Sequence, residues 1–393
     1  MENKKKSGGA HTFAIWFGLA ALMFGTQVGG SMAAGTYAVG YFAPYGGGWL
    51  LVFTAIYFCF RSAFAVHALE FTRLFKTDNY SAYYLELYGL NSEKANPALK
   101  KFVMWMFDIY TTIAGVVVVA ATINLFGSLS ASLGINPYIG RLIAVAMFAF
   151  LSIYGAAFLR KFNTAMTISL VVSMLVILGA VLSARGDVFV ERIGNFAIGA
   201  DWTGKPVSSQ IKLLVSFGFA SLTIGSTLCN FSEKIRNAKD SLGSGLMIGL
   251  LSISAFFLTS CIVLPFLPEM INDTPILSIC QKYLPPVITV FYWIVVVFSV
   301  VSTGPTYSYT TANRFAKVWK NEKISRQMKL LIISLVFLVG CYIISGIGLL
   351  TIVQKGFSTL GSIASIIIGI PLLISLPRMA KKRKEEKAAK ADA

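Results

Sequence analysis

Charge is scarce in this chain. Asp, Glu, Lys and Arg make up 13% of its 393 residues, about half the roughly 25% usual in soluble domains. A chain this long could bury a large core, but too little polar surface remains to wrap an ordinary globular one. Histidine is nearly absent, with only His11 and His67 present. The five cysteines, Cys59, Cys229, Cys261, Cys280 and Cys341, are scattered, mostly within apolar runs, with no metal-ligand or disulfide spacing. No Gly-rich element precedes a Lys-Ser/Thr pair, which excludes a phosphate-binding loop and ATP-driven transport within this chain. Gly46-Gly47-Gly48 has no strand before it and no lysine after it. Nothing supports hydrolytic or redox chemistry, so the expectation is a non-enzyme without a cofactor. Acidic residues number 17 against 34 basic ones, a net charge of +17. Such a balance can mark a nucleic-acid binder, but here the basic residues sit in short connectors, and nucleic acid is not an expected partner.

Long apolar runs are what the chain has in abundance. Hydrophobic residues reach 56% and the mean hydropathy is +0.70. The runs predict an all-α polytopic membrane protein of about ten spans, at about 13–43, 48–72, 102–127, 139–159, 164–184, 212–232, 243–267, 287–313, 329–350 and 358–377. Each can cross roughly 30 Å of hydrocarbon at 1.5 Å per residue. Basic residues alternate sharply between connectors. One side holds Lys4–Lys6, Arg73–Lys101, Arg160 and Lys161, Lys234–Lys239, Arg314–Lys329 and the tail from Arg378. The other holds only Arg185, Arg192, Lys205, Lys282 and Lys355. The positive-inside rule then puts both termini in the cytoplasm and favours an even number of spans. The expected organisation is a tail at 1–12, five spans over 13–184, an external connector at 185–211, five more spans over 212–377, and a basic tail at 378–393. That tail reads as a solvated charged end, and 73–101 is expected to hold a short helix near Ser81–Leu87.

Five plus five spans give halves of opposite orientation, an arrangement used by secondary transporters. Span 1 carries Gly25-Thr26-Gln27-Val28-Gly29-Gly30-Ser31. Each glycine weakens a helix by about 1 kcal/mol relative to alanine, and Thr26, Gln27 and Ser31 need partners at membrane depth. Span 6, its counterpart, reads Ser216-Phe217-Gly218-Phe219-Ala220-Ser221 through Thr227. Breaks in both would leave free N–H and C=O groups at the bilayer midplane for an anion and a cation. Tight packing of small faces is the competing explanation.

Span 8 holds Ser299, Ser302 and Thr303, three and four residues apart on one face. Hydroxyl oxygens there suit Na⁺; backbone bonding one turn back is the alternative. Arg61 lies near the middle of span 2, with His67 and Glu70 further inward and Asp108 near the inner end of span 3. Intramembrane charge is costly and demands a partner. Glu70 is about 13 Å from Arg61 along the helix, too far for a simple pair, which leaves Asp108 or a backbone carbonyl, or a proton or substrate role. His67 reads as inner-rim packing. Tyr110 is expected to reach the span 1 break, and Phe217 and Phe219 to close over a bound solute.

The stretch from Gly25 to Tyr37, followed by Phe42 and Tyr45-Gly-Gly-Gly-Trp49, resembles the first span of the YkvI-like membrane proteins, bacterial relatives of the amino acid–polyamine–organocation superfamily. Ser31-Met32-Ala33 replaces the end of that family's motif. The layout is similar to the leucine-transporter type of fold, with two inverted five-helix repeats and discontinuous helices 1 and 6. The resemblance implies a sodium site at Gly25, Val28, Ser299, Ser302 and Thr303. It implies a substrate region at Thr26, Gln27, Gly29, Gly30, Ser31, Tyr110, Phe217, Phe219 and Ser221. It further implies a bacterial cytoplasmic membrane and Na⁺-coupled symport of an amino acid or related amine-containing solute. A proton-coupled carrier or exchanger, and a non-transporting receptor on the same fold, are the other classes. The bilayer and a small organic solute are the expected partners; a homodimer is not indicated.

Overall fold

The computed structural model describes residues 2–27, 29–153, 156–197, 202–320 and 323–391; for 2–11, 26, 156–167, 317–318 and 390–391 it describes the backbone alone. Every regular element among these residues is helical. They run in order as α1 (Glu2–Gln27), α2 (Gly30–Ala33), α3 (Gly47–Phe75), α4 (Tyr80–Leu87), α5 (Pro97–Ala131), α6 (Pro137–Ser152), α7 (Ala156–Arg192), α8 (Val207–Ala220), α9 (Gly225–Leu228), α10 (Ala238–Val263), α11 (Pro275–Tyr283), α12 (Pro286–Val318), α13 (Arg326–Ser345), α14 (Leu349–Thr351), α15 (Phe357–Ala364) and α16 (Ile370–Ala391). Eight helical stretches are long and apolar enough to cross a membrane, and Thr12–Gly25 and Pro137–Ser152 are shorter apolar helices. The chain is a multi-pass membrane protein. Asn79, Asn96, Asn136, Asn237 and Ser325 each cap a helix by accepting a backbone N–H, and Pro97, Pro137 and Pro286 open theirs, as start signals should.

The packing repeats with a shift of five spans. Spans 2 and 7 (α3 and α10), 3 and 8 (α5 and α12), and 4 and 9 (α6 and α13) each pack together. Span 1 packs on span 7 (α1 on α10) as span 6 packs on span 2 (α8 on α3). Gly245 and Gly249 let spans 2 and 7 approach closely: a Cβ on Gly249 would sit 1.9 Å from Ser62 Oγ, and one on Gly245 would sit 2.7 Å from Val66 N. Small residues four apart commonly mark such crossings in membranes.

Two sequence readings need adjusting. Helix α7 runs on to Arg192 rather than ending near 184, across a non-helical Arg185 (φ −144°, ψ 38°). The connector after it packs where span 1 gives way to span 2: Gly48 N–H donates to Asn195 O at 3.0 Å and Tyr45 Oη to Lys205 O at 3.0 Å. The basic tail is fastened rather than free. Arg383 Nε donates to Glu70 Oε1 at 2.8 Å, Arg73 pairs with Glu386 at 2.9 Å, and Arg378 pairs with Glu86.

Candidate solute and cation site

Helix α1 stops at Gln27. Gly29 is fully extended (φ −123°, ψ −178°) and starts α2, with Met32 N–H and Ala33 N–H donating to its carbonyl at 3.1 Å. Gly35 then turns the chain at φ +78°, where an L side chain would be strained. The span 1 break expected from Gly29-Gly30 is therefore present. Val28 and the Thr26 side chain lie outside the described residues. In span 6 the discontinuity takes a milder form. Helix α8 tightens at Ser221–Ile224 into a 3₁₀ turn, resumes as α9, and tightens again at Cys229–Lys234. Pitch changes of this kind mark strain or a hinge without opening a gap.

Between the two irregular helices is a cavity of about 250 Å³, ample for several waters or a small solute. Gln27, Gly29, Gly30, Ser31, Phe217, Ser221 and Thr303 line it. Tyr57 and Ser221 share a hydrogen bond of 3.3 Å across it. Gln27 donates to Ser252 O at 3.4 Å, while its Oε1 is buried without a donor.

On one side the cavity is shut by aromatic rings. Phe217 stacks on Tyr41 at 4.2 Å and on Tyr57 at 5.0 Å, and Tyr37 packs on Phe217, Phe256 and Phe357 at 5.3–5.6 Å. Gln210 Nε2 donates to Gly40 O and Tyr41 O, both at 2.9 Å, and Tyr41 Oη donates to Val353 O at 2.7 Å. These contacts tie the part of span 1 after the break to spans 6 and 10. Met23 and Thr227, on the other side of the irregular segments, also line the cavity, so it extends that way.

The span 8 hydroxyls sit against the break. A Cβ on Gly29 would lie 3.3 Å from Thr303 Oγ1, and one on Gly30 3.9 Å from Ser299 Oγ. Ser299 Oγ is fully buried with no hydrogen-bond partner, a state rare enough to need an explanation. Ser302, also buried, donates to Ser299 O at 3.1 Å. Pro305 supplies no N–H to the turn before it. Hydroxyl and carbonyl oxygens are the donors a hard cation takes, and Ser299, Thr303 and the carbonyls at the end of α1 supply oxygens of that kind side by side. Gly25 lies within the last turn of α1.

Two expected substrate residues lie elsewhere. Tyr110 Oη donates to Leu360 O at 3.1 Å; the span 3 residues that reach the cavity are Val118 and Thr122, the latter about 18 Å further along the helix. Phe219 packs on Phe60 at 5.2 Å and on Phe64 at 6.0 Å, because it is two residues round the helix from Phe217. The charged residues also pair differently. Asp108 meets Arg314 at 3.5 Å and accepts from Tyr80 at 3.4 Å, so it is not the partner of Arg61. Glu70, 1% exposed, accepts from Arg73, Arg383 and Ser241. His67 contacts Ser375 at 3.3 Å and stacks on Phe71, at the rim. Arg61 lines the cavity. Tyr37, Thr223, Thr227, Phe256, Tyr307 and Phe357 line it too, and no spacing in the sequence singled them out.

No protein-family model and no curated protein matches this chain. Solved structures do. The inward-facing conformation of Mhp1 aligns over 92% of this chain and 76% of that one, at 15% identity and a TM-score of 0.63. Mhp1 closed around bromovinylhydantoin, described as a nucleobase-cation-symport-1 family transporter, gives 0.55 at 16% identity over 90% and 77%. A manganese transporter from Eremococcus coleocola gives 0.52 at 12% identity, covering 94% and 78%. The substrate-bound outward-open state of a Na⁺-coupled sialic acid symporter gives 0.50 at 12% identity, covering 93% and 87%. At such identities the likeness is one of fold: the chain has the leucine-transporter type of fold, with an interrupted first helix.

Proposed function

We propose that the protein is a secondary active transporter that couples Na⁺ to the movement of an amino acid or related small solute by alternating access. The observation that carries this is the extended Gly29 beside a polar cavity shut on one side, with the unpartnered Ser299 hydroxyl and the Thr303 hydroxyl facing the same break. Bare backbone groups at membrane depth are stable only where a cavity, ion or solute satisfies them. The described cavity lining contains no carboxylate and no imidazole, which argues against a divalent metal as cargo.

On the charge-based orientation, the aromatic stack around Phe217 faces outward and the cavity extends inward. The conformation is then inward-facing, in line with the higher TM-score against the inward-facing form of Mhp1 than against its closed form. Sodium at the span 1–span 8 site would favour the outward-open form, and occupancy of both sites would let spans 1, 2, 6 and 7 rock against the rest.

Removing one hydroxyl ligand tests the cation site. Thr303→Ala is expected to raise the sodium concentration for half-maximal uptake at least about tenfold, because bonds to a charged group contribute about 1.5–3 kcal/mol each. Maximal uptake at saturating sodium should remain. Sodium-titrated uptake into proteoliposomes reads this directly; equal loss at every sodium level would remove Na⁺ from the site.

A further inference from the structure

Arg61 sits at the midpoint of α3, 14 residues from Gly47 and 14 from Phe75, so about 21 Å of helix separates it from either end. It is 8% exposed and lines the cavity. Its Nε donates to Ser252 Oγ at 3.2 Å. Every arginine–carboxylate pair among the described residues uses a different arginine: Arg73, Arg236, Arg314, Arg378 or Arg383. A guanidinium cannot shed its charge as lysine does, and a cation at the centre of a bilayer is held only beside a counter-charge, backbone carbonyls or water. The two carboxylates the sequence offers, Glu70 and Asp108, are committed elsewhere: Glu70 to Arg73 and Arg383, and Asp108 to Arg314. A sodium ion at the span 1–span 8 site would add a second positive charge to the same low-dielectric space.

We infer that the solute brings the missing counter-charge: the cavity takes a small molecule bearing a carboxylate, which Arg61 binds. The planar guanidinium keeps two nitrogens beyond Nε for the bidentate geometry that carboxylates favour. Gln27, which shares Ser252 with Arg61 through the backbone carbonyl, holds a buried acceptor oxygen with no donor. It is placed to take an N–H or O–H from the same solute. Phe217, Tyr57 and Phe256 supply an apolar wall around it. An amino acid or a hydroxy acid meets all three demands, whereas a plain amine meets none at Arg61 and is repelled. This inference rests on the carrier reading and narrows its substrate class.

The test uses matched pairs of probes that differ only in charge: alanine and alaninamide, phenylalanine and phenylalaninamide, lactate and lactamide. Each is tested for thermal stabilisation and for uptake by the full-length protein in Na⁺, in wild type, Arg61→Gln and Arg61→Lys. At least one acid is expected to stabilise and be carried while its amide is not. Truncating one partner of a desolvated charge pair costs about 2–5 kcal/mol, so R61Q should weaken the acid at least about 30-fold, with R61K intermediate. Amides or amines carried in preference to the acids would overturn the inference and leave the carrier reading intact. So would an acid that binds wild type and R61Q equally. Binding without flux for every probe would overturn the carrier reading instead, and whether R61Q abolishes that binding would still decide the role of Arg61.

Discussion

Replacing Gly361 by alanine is expected to prevent stable folding. Gly361 lies in α15 against α8, and a Cβ there would be 1.6 Å from Ser216 O and 3.0 Å from Ala220 N. Both obstacles are backbone, so no side chain can rotate away. The helices would have to part by roughly 1.5–2 Å to restore van der Waals contact, and the stack of Phe217 on Tyr41 and Tyr57 rides on the helix that moves. Overpacking commonly costs about 1–3 kcal/mol, occasionally more; a backbone obstacle puts Gly361→Ala at the upper end or beyond. Gly179→Ala is the control. It is an exposed helical site with nothing within 4 Å of a new Cβ, and it should be neutral or stabilising by up to about 1 kcal/mol. Detergent-solubilised yield and melting temperature distinguish the two; equal behaviour would refute the close approach of α8 and α15.

Glu70→Ala is the second large effect. Glu70 accepts from Arg73 at 2.9 and 3.0 Å, from Arg383 at 2.8 Å and from Ser241 at 2.8 Å. It therefore joins span 2, span 7 and the tail at one buried carboxylate. Removing it leaves Arg73, 10% exposed, with Glu386 alone. Breaking a buried pair from one side costs about 3–5 kcal/mol. Arg383 is half exposed and adds little, so about 3 kcal/mol is expected. The end of α16 should also loosen, since it loses the Arg383 pair and keeps the Arg73–Glu386 pair and Arg378 with Glu86 and Phe75. A lower melting temperature with faster tryptic cleavage after 378–387 is the expected result. Unchanged cleavage would mean the tail is held by something other than Glu70.

The structure also explains what could be read from the sequence and what could not. Gly29-Gly30 signalled its break because two residues of low helix propensity adjoin polar side chains that lipid cannot satisfy. The glycines of span 6 gave a similar signal for a different reason. Gly218 admits the ring of Phe60, and Gly225 admits Tyr83, whose hydroxyl oxygen would be 2.1 Å from a Cβ. Those small residues make room for neighbours, and the helix there tightens rather than opens. Ser299 and Thr303 were legible because hydroxyls spaced three and four apart share a helix face whatever that face meets. Tyr110 was misplaced in depth: span 3 meets the cavity at Val118 and Thr122, two to three turns further along, and where one helix passes another depends on crossing angles that a single sequence does not give. Arg61 stood out as a charge in oil, but pairing it with Asp108 required knowing that Arg314, more than 200 residues later, already occupies that carboxylate. The tail looked solvated because its partners, Glu70, Arg73 and Glu86, lie in the first third of the chain.

Flux is the most direct test of a carrier built around the interrupted first helix. Labelled alanine, phenylalanine and lactate are offered to proteoliposomes under an inward sodium gradient, then with sodium equal on both sides. Saturable, concentrative uptake of at least one, lost when the gradient is collapsed, is the expected result. Saturable binding with no accumulation under any gradient would contradict it and make the molecule a receptor.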